Sequence, residues 1–271
     1  MNGTDRNVPG LPPRALIGMV HAAALPGAPF ASQPLREIIA AATLDARRLH
    51  EAGFDAVLLE NMHDRPYLRR QVGPETVAAM TAVAVAIREA VPLPLGVQIL
   101  AGANRAALAV AIAAGGAFIR AEGFVFASVA DEGLLEEADA APLLRRRREL
   151  GGEGVAILAD IRKKHSSHAI TGDLDVAAHA AAAAFSGADA VVVTGRTTGD
   201  ATPAESLHAA RHASPLPVVV GSGADAATLP RLLEVADAVI VGTSIKQDGQ
   251  WTRPVDPARA EAFIRAAHRV R

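Results

Sequence analysis

Eight short runs rich in Val, Ile, Leu and Ala recur along the chain, at residues 15–21, 56–61, 95–100, 118–122, 156–161, 190–194, 217–221 and 238–242. Several are apolar at nearly every position rather than at alternate ones. That is the pattern of strands buried on both faces of a parallel sheet. Helical signals fill the intervals. The stretch 35–52 stops at Gly53, Pro74 opens a second with Glu75 in its first turn, and Asn104 stands where it can cap 105–114. A helix is expected over 134–150, ending at Gly151-Gly152, and another over 174–186 capped by Asp173. Pro203 opens 204–213, Asp225 is placed to cap 226–235, and Asp256 with Pro257 opens the last helix.

Strand and helix therefore alternate eight times with no long linker. This predicts a single-domain (β/α)8 barrel, a fold that typically takes about 250 residues. An open, doubly wound sheet is the competing arrangement. Three helix-to-strand joints share a short turn followed by Asp: Gly53-Phe54-Asp55, Gly187-Ala188-Asp189 and Ala236-Asp237. Residues 1–13 are polar and rich in Pro and Gly, and read as a loose tail before a barrel over 14–271.

Composition narrows the function. Half of the 271 residues are hydrophobic, enough for a large core, and the formal charge of −2 speaks against a nucleic-acid-binding field. The basic run Arg145–Arg148 reads as a solvated helix end. With no cysteine, disulfides, thiolate metal sites and cysteine nucleophiles are excluded, and a reducing cytoplasm suits the chain. No apolar stretch is long enough to span a bilayer, and nothing at the N-terminus resembles a secretory signal. Homo-oligomerisation stays open.

In such barrels the chemistry sits at the C-terminal ends of the strands. The first strand delivers His21, the second Glu60 and Asn61, the third Gln98 and the fourth Arg120 and Glu122. The fifth carries the densest polar cluster, Asp160 to His168. Strand alternation puts Asp160, Arg162 and Lys164 on one face, aimed into the mouth if the strand runs that far. A carboxylate beside a lysine suits acid–base work, and Lys164 could instead form an imine. Asp160, Lys164, Glu60, His165 and His21 are therefore the catalytic candidates. Asn61, Arg120, Glu122, Thr194 and Gly195 are candidates to orient substrate. No cofactor is demanded. A divalent metal is compatible with the carboxylates and histidines, but no tight ligand spacing points to one.

The last two strands end in Gly221-Ser222-Gly223 and Gly242-Thr243-Ser244. Two glycine-rich turns here can cradle a phosphate, with Ser222, Thr243 and Ser244 adding hydroxyls and Lys246 adding charge. They could also be tight turns and nothing more. Gly221-x-Gly223-x-x-Ala226 matches a dinucleotide fingerprint, but in the seventh unit rather than the first it reads as a phosphate turn.

At these same residues the chain resembles the BtpA/SgcQ family. The matching pieces include Ile17-Gly18-Met19-Val20-His21 with Leu25-Pro26-Gly27-Ala28-Pro29, Asp55 through Asn61, Phe118-Ile119-Arg120, Asp160 with Lys164-His165, Thr194-Gly195, Gly221-Ser222-Gly223 and Val241 through Lys246. It departs from the pairs frequent in that family, with Gly102-Ala103 after the third strand and Glu122-Gly123 after the fourth. The resemblance implies a TIM barrel and a family named for photosystem I biogenesis, with members in sugar operons. Two functions follow as expectations. One is an enzyme acting on a phosphorylated sugar or nucleoside, as lyase, isomerase, epimerase or glycosidase. The other is a non-catalytic assembly factor. Binding of nucleic acid is disfavoured by charge and low aromatic content.

Overall fold

A computed structural model describes residues 6–163, 165–195 and 202–271 of the chain. The strands and helices follow in the order β1 (Ala15–His21), α1 (Leu35–Ala52), β2 (Ala56–Glu60), α2 (Pro74–Ala90), β3 (Leu95–Gln98), α3 (Asn104–Ala114) and β4 (Phe118–Ala121). Next come β5 (Ser128–Ala130), β6 (Gly133–Leu135), α4 (Ala140–Glu149), β7 (Ala156–Ile161), β8 (Ser166–Ser167) and α5 (Val176–Phe185). The last are β9 (Ala190–Val193), α6 (Ala204–Ala213), β10 (Val218–Val220), α7 (Leu229–Leu232), β11 (Ala238–Val241) and α8 (Pro257–Ala267). Eight strands close into a parallel barrel in the cyclic order β1-β11-β10-β9-β7-β4-β3-β2. The open sheet is excluded. All eight predicted strands are present, most of them a residue or two shorter than their apolar runs.

Continuous apolarity has its cause in two cores. Outward-facing strand residues such as Leu16, Leu59, Val97 and Val191 join the helices in one cluster. Inward-facing ones, among them Met19, Leu58, Phe118, Leu158 and Ile240, fill the barrel. Gly96 sits among the latter because a Cβ there would collide with the Phe118 ring. The expected loose tail behaves otherwise over residues 6–13. Val8 and Leu11 are buried in the inner cluster, and Arg6 donates to the carbonyl of Ser214 at 2.6 Å. An apolar plug is needed because five of the eight barrel strands start on a small alanine, Ala15, Ala56, Ala156, Ala190 and Ala238.

Four helix predictions change. The expected helix over 134–150 is an antiparallel hairpin, β5–β6, followed by α4 from Ala140. Tertiary bonds override helical propensity here: Asp139 donates its N–H to the Gly123 carbonyl, and its carboxylate accepts from Asn104 Nδ2 at 2.8 Å. Asn104 is thereby taken from the capping role predicted for it. Asp175, not Asp173, caps α5, accepting from the Ala178 N–H at 2.8 Å. The helix expected over 226–235 shrinks to α7, because Asp225 Oδ1 closes a turn onto the N–H groups of Ala227 and Thr228.

The three Asp joints share one device. Asp55, Asp189 and Asp237 each donate a backbone N–H to the carbonyl of a residue on the neighbouring strand, Leu16, Ile157 and Val218. Each returns its carboxylate to that residue's N–H, at 2.7, 2.8 and 2.8 Å. An arginine completes every joint: Arg271, Arg147 and Arg211 respectively.

Candidate active site

Period-two alternation carries the inner face of each strand upward to one residue at the mouth. Above Met19, Leu58, Gly96 and Phe118 stand His21, Glu60, Gln98 and Arg120. Above Leu158, Val192, Val219 and Ile240 stand Asp160, Thr194, Gly221 and Gly242. Register confirms the ring on one side: His21 pairs with Glu60, and Glu60 with Gln98, across three adjacent strands.

Two chambers open above this ring, each of about 260 Å³, and both are bounded by Glu60, Met62 and Arg120. The first is lined by His21 and by both glycine-rich turns, Gly221-Ser222-Gly223 and Gly242-Thr243-Ser244. Among the described residues no hydrogen bond occupies the backbone N–H of Ser222, Gly223, Thr243 or Ser244. Gly221 must be glycine, since a Cβ would lie 2.5 Å from Val192 Cγ1 and 2.7 Å from Thr194 Cγ2. Gly223 turns through φ +74°, a left-handed conformation that side chains disfavour. Ser222 Oγ accepts from the Gly195 N–H at 3.2 Å, so that N–H is already engaged, and Ser244 donates its hydroxyl to the Ala224 carbonyl.

The second chamber is lined by Glu122, Asp160, Lys163, His165, Gln98, Tyr67 and Trp251, among others. Arg120 Nε and Nη2 donate to the two oxygens of Asp160, both at 3.0 Å, and Nη1 donates to the Gly221 carbonyl at 3.4 Å. Burial works against the guanidinium charge. Asp160, with Glu60, outweighs it and holds Arg120 above its ordinary value. Glu122 is fixed from three sides: its carboxylate accepts from Gly102 N–H, its N–H donates to Asn104 Oδ1, and its carbonyl accepts from Asn104 Nδ2. Burial pushes the Glu122 carboxyl up despite Lys163 at 3.5 Å.

Lys163 was not among the candidates, yet it lines the second chamber. β7 ends at Ile161, and Arg162 turns into the left-handed region at φ +54°. The alternation breaks there, so Arg162 donates to the Leu174 carbonyl instead of joining Asp160. Lys163 Nζ meets Glu132, on the β5–β6 turn, at 3.1 Å. Burial lowers its pKa, but Glu122 and Glu132 more than reverse this. The turn at Arg162 was not legible in an unbroken polar run. Lys164 lies outside the described residues.

His21 Nδ1 lies 3.0 Å from the Trp251 carbonyl, and Nε2 lies 3.6 Å from Glu60 Oε2. A carbonyl only accepts, so the proton sits on Nδ1 and Nε2 faces the carboxylate. His165 is exposed at the rim of the second chamber.

Two expected ligands lie elsewhere. Asn61 accepts from the Leu100 N–H at 2.8 Å and donates to Asp64 at 2.9 Å, tying β2 to the loop after β3. Lys246, expected to add charge beside the phosphate turns, is 1% exposed and bonds Asp45 on α1 at 3.0 Å. It leaves the chamber because a buried ammonium needs the nearest carboxylate. Thr194 borders Gly221, and its buried hydroxyl has no partner among the described residues. Also among them, no group of three or more His, Asp or Glu side chains could hold a metal ion, and no helix is long and apolar enough to cross a membrane.

Fold and ring together define a single-domain (β/α)8 barrel with a polar mouth at the C-terminal ends of its strands. The chain belongs to the BtpA family, whose model matches residues 13–269. It is 40% identical over 255 residues to an uncharacterized mitochondrial protein of Caenorhabditis elegans, covering 92% of this chain and 91% of that one. It is 35% identical to the photosystem I biogenesis protein BtpA of Synechocystis, covering 93% and 87%. Among solved structures, thiamine phosphate pyrophosphorylase from Pyrococcus furiosus superposes with a TM-score of 0.57 at 13% identity, covering 94% of this chain and 96% of that one. A 3-hexulose-6-phosphate synthase superposes at 0.56 and 17% identity, covering 93% and 99%. These two likenesses concern the fold.

Proposed function

We propose that this barrel is an enzyme that holds a phosphorylated sugar or nucleoside and moves a proton on it. One observation carries the reading: both glycine-rich turns line a single chamber that also contains His21 and Glu60. The turns after the last two strands are the recurring phosphate position of this fold. The names of the two solved barrels above, both of which mention phosphate, suit it. The N–H groups of Ser222, Gly223, Thr243 and Ser244, unengaged among the described residues, would bind the phosphate, with the Thr243 hydroxyl as a further donor. His21 and Glu60 would exchange the proton. Asp160 has both oxygens committed to Arg120, so it serves as a positioning residue for that guanidinium rather than as a base. The reaction class is a lyase, isomerase, epimerase or hydrolase. A cytoplasmic setting belongs to the same proposal.

The test is thermal unfolding of the full chain with inorganic phosphate, ribose 5-phosphate and ribose. At a hundredfold excess over Kd a ligand stabilises by about 2.7 kcal/mol, on the order of 5–10 °C in Tm. A shift with ribose 5-phosphate and none with ribose supports the reading. No shift with any phosphorylated compound overturns it. The name of the Synechocystis relative favours a second reading, an assembly factor that keeps the site for binding alone. Under it, His21→Asn and Glu60→Gln would leave the biological role of the protein intact.

A further inference from the structure

The second chamber holds features that neither the phosphate turns nor the His21–Glu60 pair uses. Gln98 is 2% exposed, and its Oε1 has no hydrogen-bond partner among the described residues. An unpaired buried polar group costs about 1–3 kcal/mol, so a partner arriving with a ligand is the economical explanation. Register places Gln98 beside Glu60 in the ring, on the wall of this chamber.

The chamber is lined largely by charged side chains, with two aromatic rings among them. The chain has one Trp and one Tyr, and both line this chamber together with Leu100. Tyr67 donates its hydroxyl to the Met62 carbonyl at 2.7 Å, which leaves the ring as its contribution to the wall. An aromatic wall beside an amide is how proteins read a planar base, by ring contact on its face and hydrogen bonds on its edge. A bare sugar phosphate would cover neither. Size agrees: small-molecule sites span roughly 300–1,000 Å³, and each chamber alone, at about 260 Å³, falls short. The two share Glu60, Met62 and Arg120 as lining residues, and together their volumes reach that range.

We propose that the second chamber is a nucleobase pocket in which the Gln98 carboxamide reads the edge of the base, making the ligand a nucleoside monophosphate. This rests on the phosphate reading of the first chamber. The test measures affinity of the full chain for ribose 5-phosphate, the AMP, GMP, CMP and UMP nucleotides, and the matching nucleosides, in the wild type and in Gln98→Leu. The expected result is at least one nucleotide binding tenfold or more tighter than ribose 5-phosphate, with Gln98→Leu removing most of that excess and leaving ribose 5-phosphate unchanged. Gln98→Leu should melt no lower than the wild type, since it deletes a buried carboxamide oxygen that has no partner among the described residues. Nucleotides no tighter than ribose 5-phosphate overturn the base pocket and leave the phosphate reading standing. Nucleosides that bind in a Gln98-dependent way with no gain from phosphate support the pocket and sink the phosphate reading.

Discussion

Arg120 on β4 grips Asp160 on β7 through two parallel hydrogen bonds of 3.0 Å, with both side chains almost wholly buried. The pair sits on the wall between the two chambers and orients the guanidinium toward Gly221. Removing one partner strands the other charge. Asp160→Ala should therefore cost about 3–5 kcal/mol in urea unfolding. The double change Arg120→Met with Asp160→Leu should recover most of that loss while abolishing ligand-induced stabilisation. A cost below about 1 kcal/mol for Asp160→Ala would mean the pair is not the buried clamp described.

Lys246 separates a structural charge from a ligand-binding one. Its ammonium is held by Asp45, which also accepts from the Val255 N–H at 2.9 Å. Burial pulls its pKa down in spite of Asp45. Lys246→Met should lower stability by about 1.5–3 kcal/mol, because buried Asp45 loses its ammonium partner but keeps Arg48 at 3.3 Å and the Val255 N–H. Affinity for ribose 5-phosphate should not change in calorimetric titration at a temperature where the variant is folded. A large loss of affinity would return Lys246 to the phosphate site.

The Asp joints make a quantitative prediction. Asp237 accepts from Val218 N–H and from Arg211, and is 7% exposed. Hydrogen bonds to a charged group contribute about 1.5–3 kcal/mol. Asp237→Ala should cost at least that much in chemical denaturation. Asp189→Ala, at a more exposed joint, should cost less. Equal costs at both would show that burial does not set the strength of the joint.

Stability should fall on acidification below pH 6.5. His63, His168 and His179 all lie below the ordinary histidine value of 6.5, with burial the first cause in each. Between their folded values and 6.5 the unfolded chain binds more protons, so folding weakens as pH drops through that window, by at most ~1.4 kcal/mol per pH unit for each group. Asp64, Asp139 and Glu122, raised first by burial, act with the opposite sign from near pH 4 upward. His179→Gln keeps a donor for the Asp175 carbonyl and should flatten the slope just below pH 6.5. An unchanged slope would remove His179 from the account.

Strand identity was legible because burial on both faces leaves no polar position in the run, and this signal survives without a partner. Mouth residues were legible for the same reason: a polar residue at or near the end of such a run, as Glu60 closes β2 and Asp160 comes one residue before the end of β7, faces the cavity. The capping Asp was misplaced by two residues at α5, since Asp173 and Asp175 carry the same side chain and only the backbone path distinguishes them. The hairpin β5–β6 was hidden because helical propensity over 134–139 is a local quantity, and the bonds that defeat it come from Asn104 and Gly123. Lys163 was missed because one left-handed residue, Arg162, breaks the strand alternation that the sequence reading extended past Ile161.

Eight nearly continuous apolar runs, by themselves, determined that the chain forms eight buried parallel strands with polar ends, since a strand covered on both faces leaves no position for a polar side chain within it. Only tertiary closure decided which charges meet. Asp160 was committed to Arg120, Lys246 to Asp45 and Lys163 to Glu122 and Glu132 by ring geometry. Electrostatic pairing depends on distance in space, and residues 201 positions apart in the chain, such as Asp45 and Lys246, become neighbours only after the barrel has closed.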